Sequence, residues 1–166
     1  MTITDKISKV RNIINAWIIT ESLEIALNTQ SPAAGFIVVS TGIDVLAGFR
    51  FGRKTKDEKT GEQFIQFVDI YMDKRYNPKE LYKDLRCALM HNFLLGEKYG
   101  LLHRTPLAHF KEHEGKTLLN LEDFVEDFKK AANLYFSDLE AGKNVSEFET
   151  RFDSLGGIID SSVISF

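Results

Sequence analysis

A mainly α-helical bundle, with a small β-hairpin or ordered excursion around residues 97–120, is the fold this sequence predicts. Three observations predict it. Apolar residues recur at three and four positions, as in Ile7, Val10, Ile14, Trp17 and Ile18, the spacing of one helix face. Helix starts are written in Ser31-Pro32, in Asn77-Pro78-Lys79-Glu80 and in Asn120, where a short polar side chain precedes Pro or an apolar run. Between Gly96 and Asn120 the pattern changes, because Gly96, Gly100, Pro106 and Gly115 separate short apolar pieces. A connection that long inside a compact domain is expected to carry structure of its own.

The first helix is expected from about Asp5 to Leu27. The second opens at Ser31-Pro32 and holds Phe36, Ile37, Val39, Ser40, Ile43, Asp44, Leu46 and Ala47. It is apolar nearly all round, so it should be the most buried element. Its small residues, including Gly35, Gly42 and Gly48, suit close helix packing. Phe51 to Gly61 reads as a polar loop, and Phe64, Phe67, Val68 and Tyr71 mark a third helix. The fourth runs from the Asn77 cap to about Leu95 with Leu81, Leu85, Ala88 and Leu89 inward, and Glu80 is placed to reach back to the cap. Asn120 caps a fifth, whose inner face is Leu121, Phe124, Val125, Phe128, Ala131, Ala132, Tyr135 and Leu139. A short sixth spans Ser146 to Leu155, and Gly156-Gly157 ends it. The expected organisation is one domain, residues 1–155, and an apolar tail, residues 156–166.

Composition bounds the function. The chain has 166 residues, 43% hydrophobic and 27% charged, which excludes disordered, collagenous and low-complexity classes. A lone Cys87 excludes an internal disulfide framework and fits a reducing compartment. No secretory signal is read, and the charge-free stretch Ile25 to Ile43 is broken by Asn28, Gln30, Ser31 and Pro32. A cytoplasmic protein without a membrane partner is therefore expected. Residues 1–109 carry 15 basic and 12 acidic side chains, and residues 110–154 carry 6 and 11. A polyanion would have to use the N-terminal two-thirds. Arg50, Arg53, Lys54 and Lys56, with Lys59, form the densest basic patch, either a solvated loop or an RNA-binding surface.

Histidine is the side chain that changes charge near neutral pH. His91 sits in the fourth helix, five residues after Arg86. At roughly 100° per residue Asp84, Cys87, Ala88 and His91 share a stripe, and Arg86 lies about 140° from His91. The long arginine stem can fold along the helix toward the imidazole. A fixed cation that binds phosphate oxygens beside a group that moves a proton suits phosphoryl chemistry. The plain alternative is a helix surface on which Arg86 pairs with an acid such as Asp84. His109-x3-His113, with His103, Glu112 and Glu114 nearby, has two-ligand helical spacing but lacks HExxH or a second cysteine. These histidines are read as loop residues, and no metal is expected. Gly115-Lys116-Thr117 has Phe110 where a phosphate loop needs Gly, and neither GxGxxG nor GxSxG occurs. No cofactor is expected. The aromatic residues fall mostly on apolar stripes, which favours core packing over base stacking; Phe49, Phe51 and Phe93 are less easily placed.

Leu81-Tyr82-Lys83-Asp84-Leu85-Arg86-Cys87-Ala88-Leu89-Met90-His91-Asn92, an Arg-x4-His helix behind a capped Pro, resembles the signature of the HEPN (higher eukaryotes and prokaryotes nucleotide-binding) superfamily. The resemblance covers about residues 5–140 and rests on Arg86 and His91. It implies an up-and-down helical bundle. It also implies a homodimer in which two copies of the motif face each other across a cleft. The implied activity is metal-independent RNA cleavage to a 2′,3′-cyclic phosphate, with Arg86 and His91 catalytic and Asp84, Cys87, Asn92 and Asp44 supporting. Other members resemble non-catalytic modules that bind RNA or a nucleotide or that dimerise, and an antitoxin-like or regulatory protein partner is in keeping with the family. One departure stands out: such ribonucleases usually carry Asn, Asp or His after the Arg, and this chain has Cys87.

Overall fold

One helix, α3 (Ala33–Arg50), runs through the middle of the bundle, and the other helices are laid around it. The computed structural model describes residues 1–28, 30–54, 59–92 and 94–155. Before α3 come α1 (Ile3–Ile13) and α2 (Glu21–Asn28), joined without a break by a π-helical stretch, Ile14–Thr20. After it come α4 (Thr60–Tyr71) and a short α5 (Pro78–Glu80), which continues through a second π-helical stretch, Leu81–Cys87, into α6 (Ala88–Asn92). Strands β1 (Tyr99–Leu102), β2 (Glu112–His113) and β3 (Lys116–Asn120) precede α7 (Leu121–Glu140) and α8 (Val145–Leu155).

Expected helix positions are reproduced to within a few residues, and the local chemistry explains their ends. Asn77 Oδ1 accepts from the Lys79 and Glu80 N–H groups at 3.1 and 3.3 Å, with Pro78 in the first turn. Thr2 and Asp5 form a reciprocal capping box at the start of α1. Pro32 occupies the cap position of α3, one residue later in role than expected. The fourth helix is described as far as Asn92, and Leu94 and Leu95 lie exposed further on.

Packing explains the centre. Phe36, Val39, Ile43, Leu46 and Ala47 of α3 are fully buried. A methyl group added at Gly42 would lie 2.6 Å from Ile18 Cγ2 and 2.7 Å from Phe128 Cζ, so only glycine lets these helices approach so closely. Phe36 stacks on Phe124 at 5.2 Å and Phe49 on Phe148 at 5.1 Å, so Phe49 belongs to the core. The inner face of α7 is buried as read from its periodicity. By length and hydropathy α3 could cross a bilayer, but 56% of it is buried inside the domain.

The first helix corrects its own pattern. Its buried residues are Ile7, Val10, Ile14, Ile19, Ser22 and Ala26. The step from Ile14 to Ile19 is five residues, the repeat of a π turn. Trp17, read as inward, is therefore 51% exposed.

The excursion is a three-stranded sheet of order β1-β3-β2. β1 runs parallel to β3, with Tyr99 opposite Thr117 and Leu102 opposite Asn120, and β2 pairs antiparallel with β3. The β2–β3 hairpin turns on Glu114 and Gly115, both at positive φ, as a two-residue hairpin requires. β3 runs straight into α7 at Asn120. Asn120 stands at the cap position, but its side chain makes no capping bond. Its Oδ1 accepts from the Thr105 N–H at 3.0 Å, and its Nδ2 donates to Asp123 Oδ2 at 2.7 Å. The tail, residues 156–166, and the glycines read as ending α8 lie outside the described residues.

Candidate functional site

The helix bearing the motif is anchored by Leu81, Leu85 and Leu89, all buried. That face fixes where the polar residues go. Arg86 reaches α3 and is held there. Asp44 Oδ2 accepts from Arg86 Nε at 2.8 Å and from Nη2 at 2.6 Å. The side chains are 19% and 15% exposed, so most water is excluded and each charge depends on the other. Arg53 Nη2 donates to the main-chain oxygen of the same Asp44. Asp44 Oδ1 is buried without a partner among the described residues. The requirement that a carboxylate in so apolar a helix find a partner is thus met by Arg86, which pairs with Asp44 and not with Asp84 of its own helix. Asp84 is covered from another side: its carbonyl accepts from the Gly96 N–H at 2.9 Å, and a Cβ on Gly96 would collide with it at 2.5 Å.

The guanidinium leans toward the start of its helix. It lies over the Tyr82 ring, 5.6 Å from the ring centre, and Nη1 donates to Cys87 Sγ at 3.9 Å. The expected fold of Arg86 toward His91 is therefore replaced by a fold toward Asp44 and Tyr82. His91 stands exposed on the last turn, and no hydrogen bond or ion pair engages it among the described residues. No hydrogen bond joins Arg86 to His91 among the described residues. The Asn92 side chain lies outside the described set.

The basic patch is divided by the fold. Arg53 is 6% exposed, with its guanidinium packed against Gly48, so it does not face solvent as the patch requires. Arg50 is half-buried, with its guanidinium 5.0 Å from the Phe51 ring centre. Lys54 is exposed, and Lys56 lies outside the described residues.

A second polar cluster ties the sheet to the bundle. His109, read from sequence as an exposed loop residue, has a side chain only 7% exposed. Its Nδ1 accepts from the Asn120 N–H at 3.0 Å, which leaves the ring proton on Nε2. Nε2 lies 3.2 Å from the Tyr76 hydroxyl and 3.5 Å from Asp127 Oδ2. The Tyr76 hydroxyl donates to Asp127 Oδ2 at 3.0 Å, and Lys130 Nζ donates to Oδ1 at 3.2 Å. Burial alone would raise the Asp127 carboxyl, but hydrogen bonds from His109, Lys130 and Tyr76 outweigh it and hold it below the usual range. Burial, reinforced by Asp127, pushes the Tyr76 phenol well above its ordinary value. The other loop histidines do not join this cluster. His103 Nδ1 lies 3.3 Å from the Ala26 carbonyl at the end of α2, and His113 is exposed beside Glu114.

Sequence reasoning missed two contributors, Tyr82 and the Tyr76–His109–Asp127 group. The signal for Tyr82 was an aromatic four positions before Arg86, a spacing that lets a cation settle on a ring. Asp127 interrupts the apolar stripe of α7, which flags a buried acid in need of partners. No family model, no curated protein and no solved structure matches this chain.

Proposed function

We propose that this chain is a HEPN-like protein whose Arg86/His91 helix works in a cleft between two copies, as a metal-independent endoribonuclease. The observation that carries the reading is the half-buried Arg86. Asp44 accepts from two donors on one edge of it, while Nη1 has, among the described residues, only a weak acceptor, the Cys87 thiol sulfur. A guanidinium held this way is preorganised for phosphate oxygens. His91 is exposed one turn further on, with Met90, Leu94 and Leu95 exposed around it at 43%, 67% and 37%. An apolar rim of this kind suits coverage by a second copy, which would supply the facing His91.

In such a cleft the RNA 2′-oxygen attacks the adjacent 3′-phosphorus and loses its proton to one His91. The bond from phosphorus to the 5′-oxygen breaks, and that oxygen takes a proton from the second copy's His91. Both Arg86 side chains balance the charge on the equatorial oxygens. The products are a 2′,3′-cyclic phosphate and a 5′-hydroxyl, and DNA, without the 2′-hydroxyl, survives. The test is incubation of the dimeric protein with RNA in EDTA. Wild type yields cyclic phosphate ends and His91→Ala does not.

A second reading is favoured by the Asp44 pairing and by Cys87 in the position that usually carries a polar side chain. With Arg86 committed to Asp44 and a cysteine in place of a polar residue after it, the cleft would hold RNA or a nucleotide without cutting it. Binding lost in Arg86→Ala, with no cleavage by wild type, selects this module.

A further inference from the structure

Tyr82 lies between Arg86 and α4. Its ring carries the Arg86 guanidinium, 5.6 Å from the ring centre. The Arg86 Nη1 also reaches the neighbouring Cys87 Sγ at 3.9 Å. The far side of the Tyr82 ring is wedged against α4, with Phe64 at 5.4 Å between ring centres. A Cβ on Gly61 would sit 2.8 Å from the Tyr82 Cζ and hydroxyl.

Residues 82 and 86 are four apart and neighbours on the helix surface. The stretch Leu81–Cys87 is π-helical, and π turns interrupt the regular ladder and are frequent at functional sites; here the Arg86 guanidinium lies on the Tyr82 ring within that turn.

We propose that Tyr82 is a positioning residue for Arg86. The ring is the shelf on which the guanidinium lies, and Asp44 holds its inner edge. The remaining N–H groups of Arg86 then face outward at a fixed angle toward a phosphate. Gly61 is the clearance that lets the shelf stand there. This inference rests on the Arg86 site proposed above, but it concerns the order of one side chain, which is measurable whether or not the protein cuts RNA.

The experiment uses the full-length chain and four forms: wild type, Tyr82→Phe, Tyr82→Leu and Gly61→Ala. Alanine is a better helix former than glycine, so any effect of Gly61→Ala reports displacement of the ring. The first readout is the Arg86 Nε–H resonance and its solvent exchange. The expected result is protected exchange in wild type and in Tyr82→Phe, and at least a several-fold faster exchange in Tyr82→Leu and Gly61→Ala. The second readout is steady-state cleavage of a short RNA. There kcat falls about 10-fold or more in Tyr82→Leu with KM little changed, and Tyr82→Phe restores most of it. Wild-type exchange rates in Gly61→Ala and Tyr82→Leu would overturn the proposal, and should Tyr82→Leu not fold, Gly61→Ala decides alone. A wild type that neither cuts nor binds RNA removes the proposed function but leaves the exchange measurement to judge Tyr82.

Discussion

Two polar clusters sit in this bundle, and they are finished to different degrees. In the His109 cluster, both ring nitrogens, the Tyr76 hydroxyl and both Asp127 oxygens have partners inside the protein. In the Arg86 cluster, Asp44 Oδ1 has none among the described residues, Nη1 has only a sulfur, and His91 is exposed. Satisfied buried networks rigidify a fold. Groups with bonding capacity left over at a surface are where a ligand can be held. The comparison thus separates histidines that look alike in sequence: His109 holds the sheet to the bundle, and His91 is available.

The largest expected effect tests availability. If His91 moves a proton, His91→Ala lowers cleavage by about 10²–10⁴-fold, while the unfolding free energy measured in urea shifts by less than about 0.5 kcal/mol because the side chain is exposed. A stability loss matching that of a core variant would break the comparison. Asp44→Ala comes next. It leaves Arg86 half-buried without its carboxylate, and about 2–4 kcal/mol of stability should be lost by chemical denaturation, together with RNA binding. Charge-neutral Asp44→Asn should lose less.

Tyr76→Phe removes a hydroxyl from the closed cluster and strands one donor and one acceptor, at a cost of about 1–3 kcal/mol. RNA handling in this variant should equal that of wild type; a change there would merge the two clusters into one site. The smallest effect is in acid. Asp127 binds its proton more weakly in the fold than in the unfolded chain. Its contribution is complete above about pH 4 and fades as pH falls through the lowered folded value. Stability plotted against pH should be flatter below pH 4 in Asp127→Asn than in wild type, and parallel curves would remove Asp127 from the account.

What could be read from sequence was local. The α7 stripe, the all-apolar α3 and the Asn77 cap each depend on residues within a few positions of one another, and each stands where it was expected. The ordered excursion was legible from Gly and Pro spacing, but the parallel pairing of β1 with β3 was not, because register between separated strands leaves no short-range mark. Trp17 was misread because a π turn adds one residue to the repeat without altering composition. Arg53 was read by its charge, yet its partners, Gly48 and the Asp44 carbonyl, come from the helix before it. Asp84 was nearer to Arg86 in sequence, but Asp44 was nearer in space.

The direct junction of β3 with α7 has a mechanical consequence. Leu119, Asn120 and Leu121 are completely shielded, and the Asn120 amide is held by His109 across the loop. The excursion cannot swing as an independent flap without unwinding the first turn of α7. Amide protons of the two should exchange with deuterium as one cooperative block, and a two-glycine insertion after Asn120 should split that block in two.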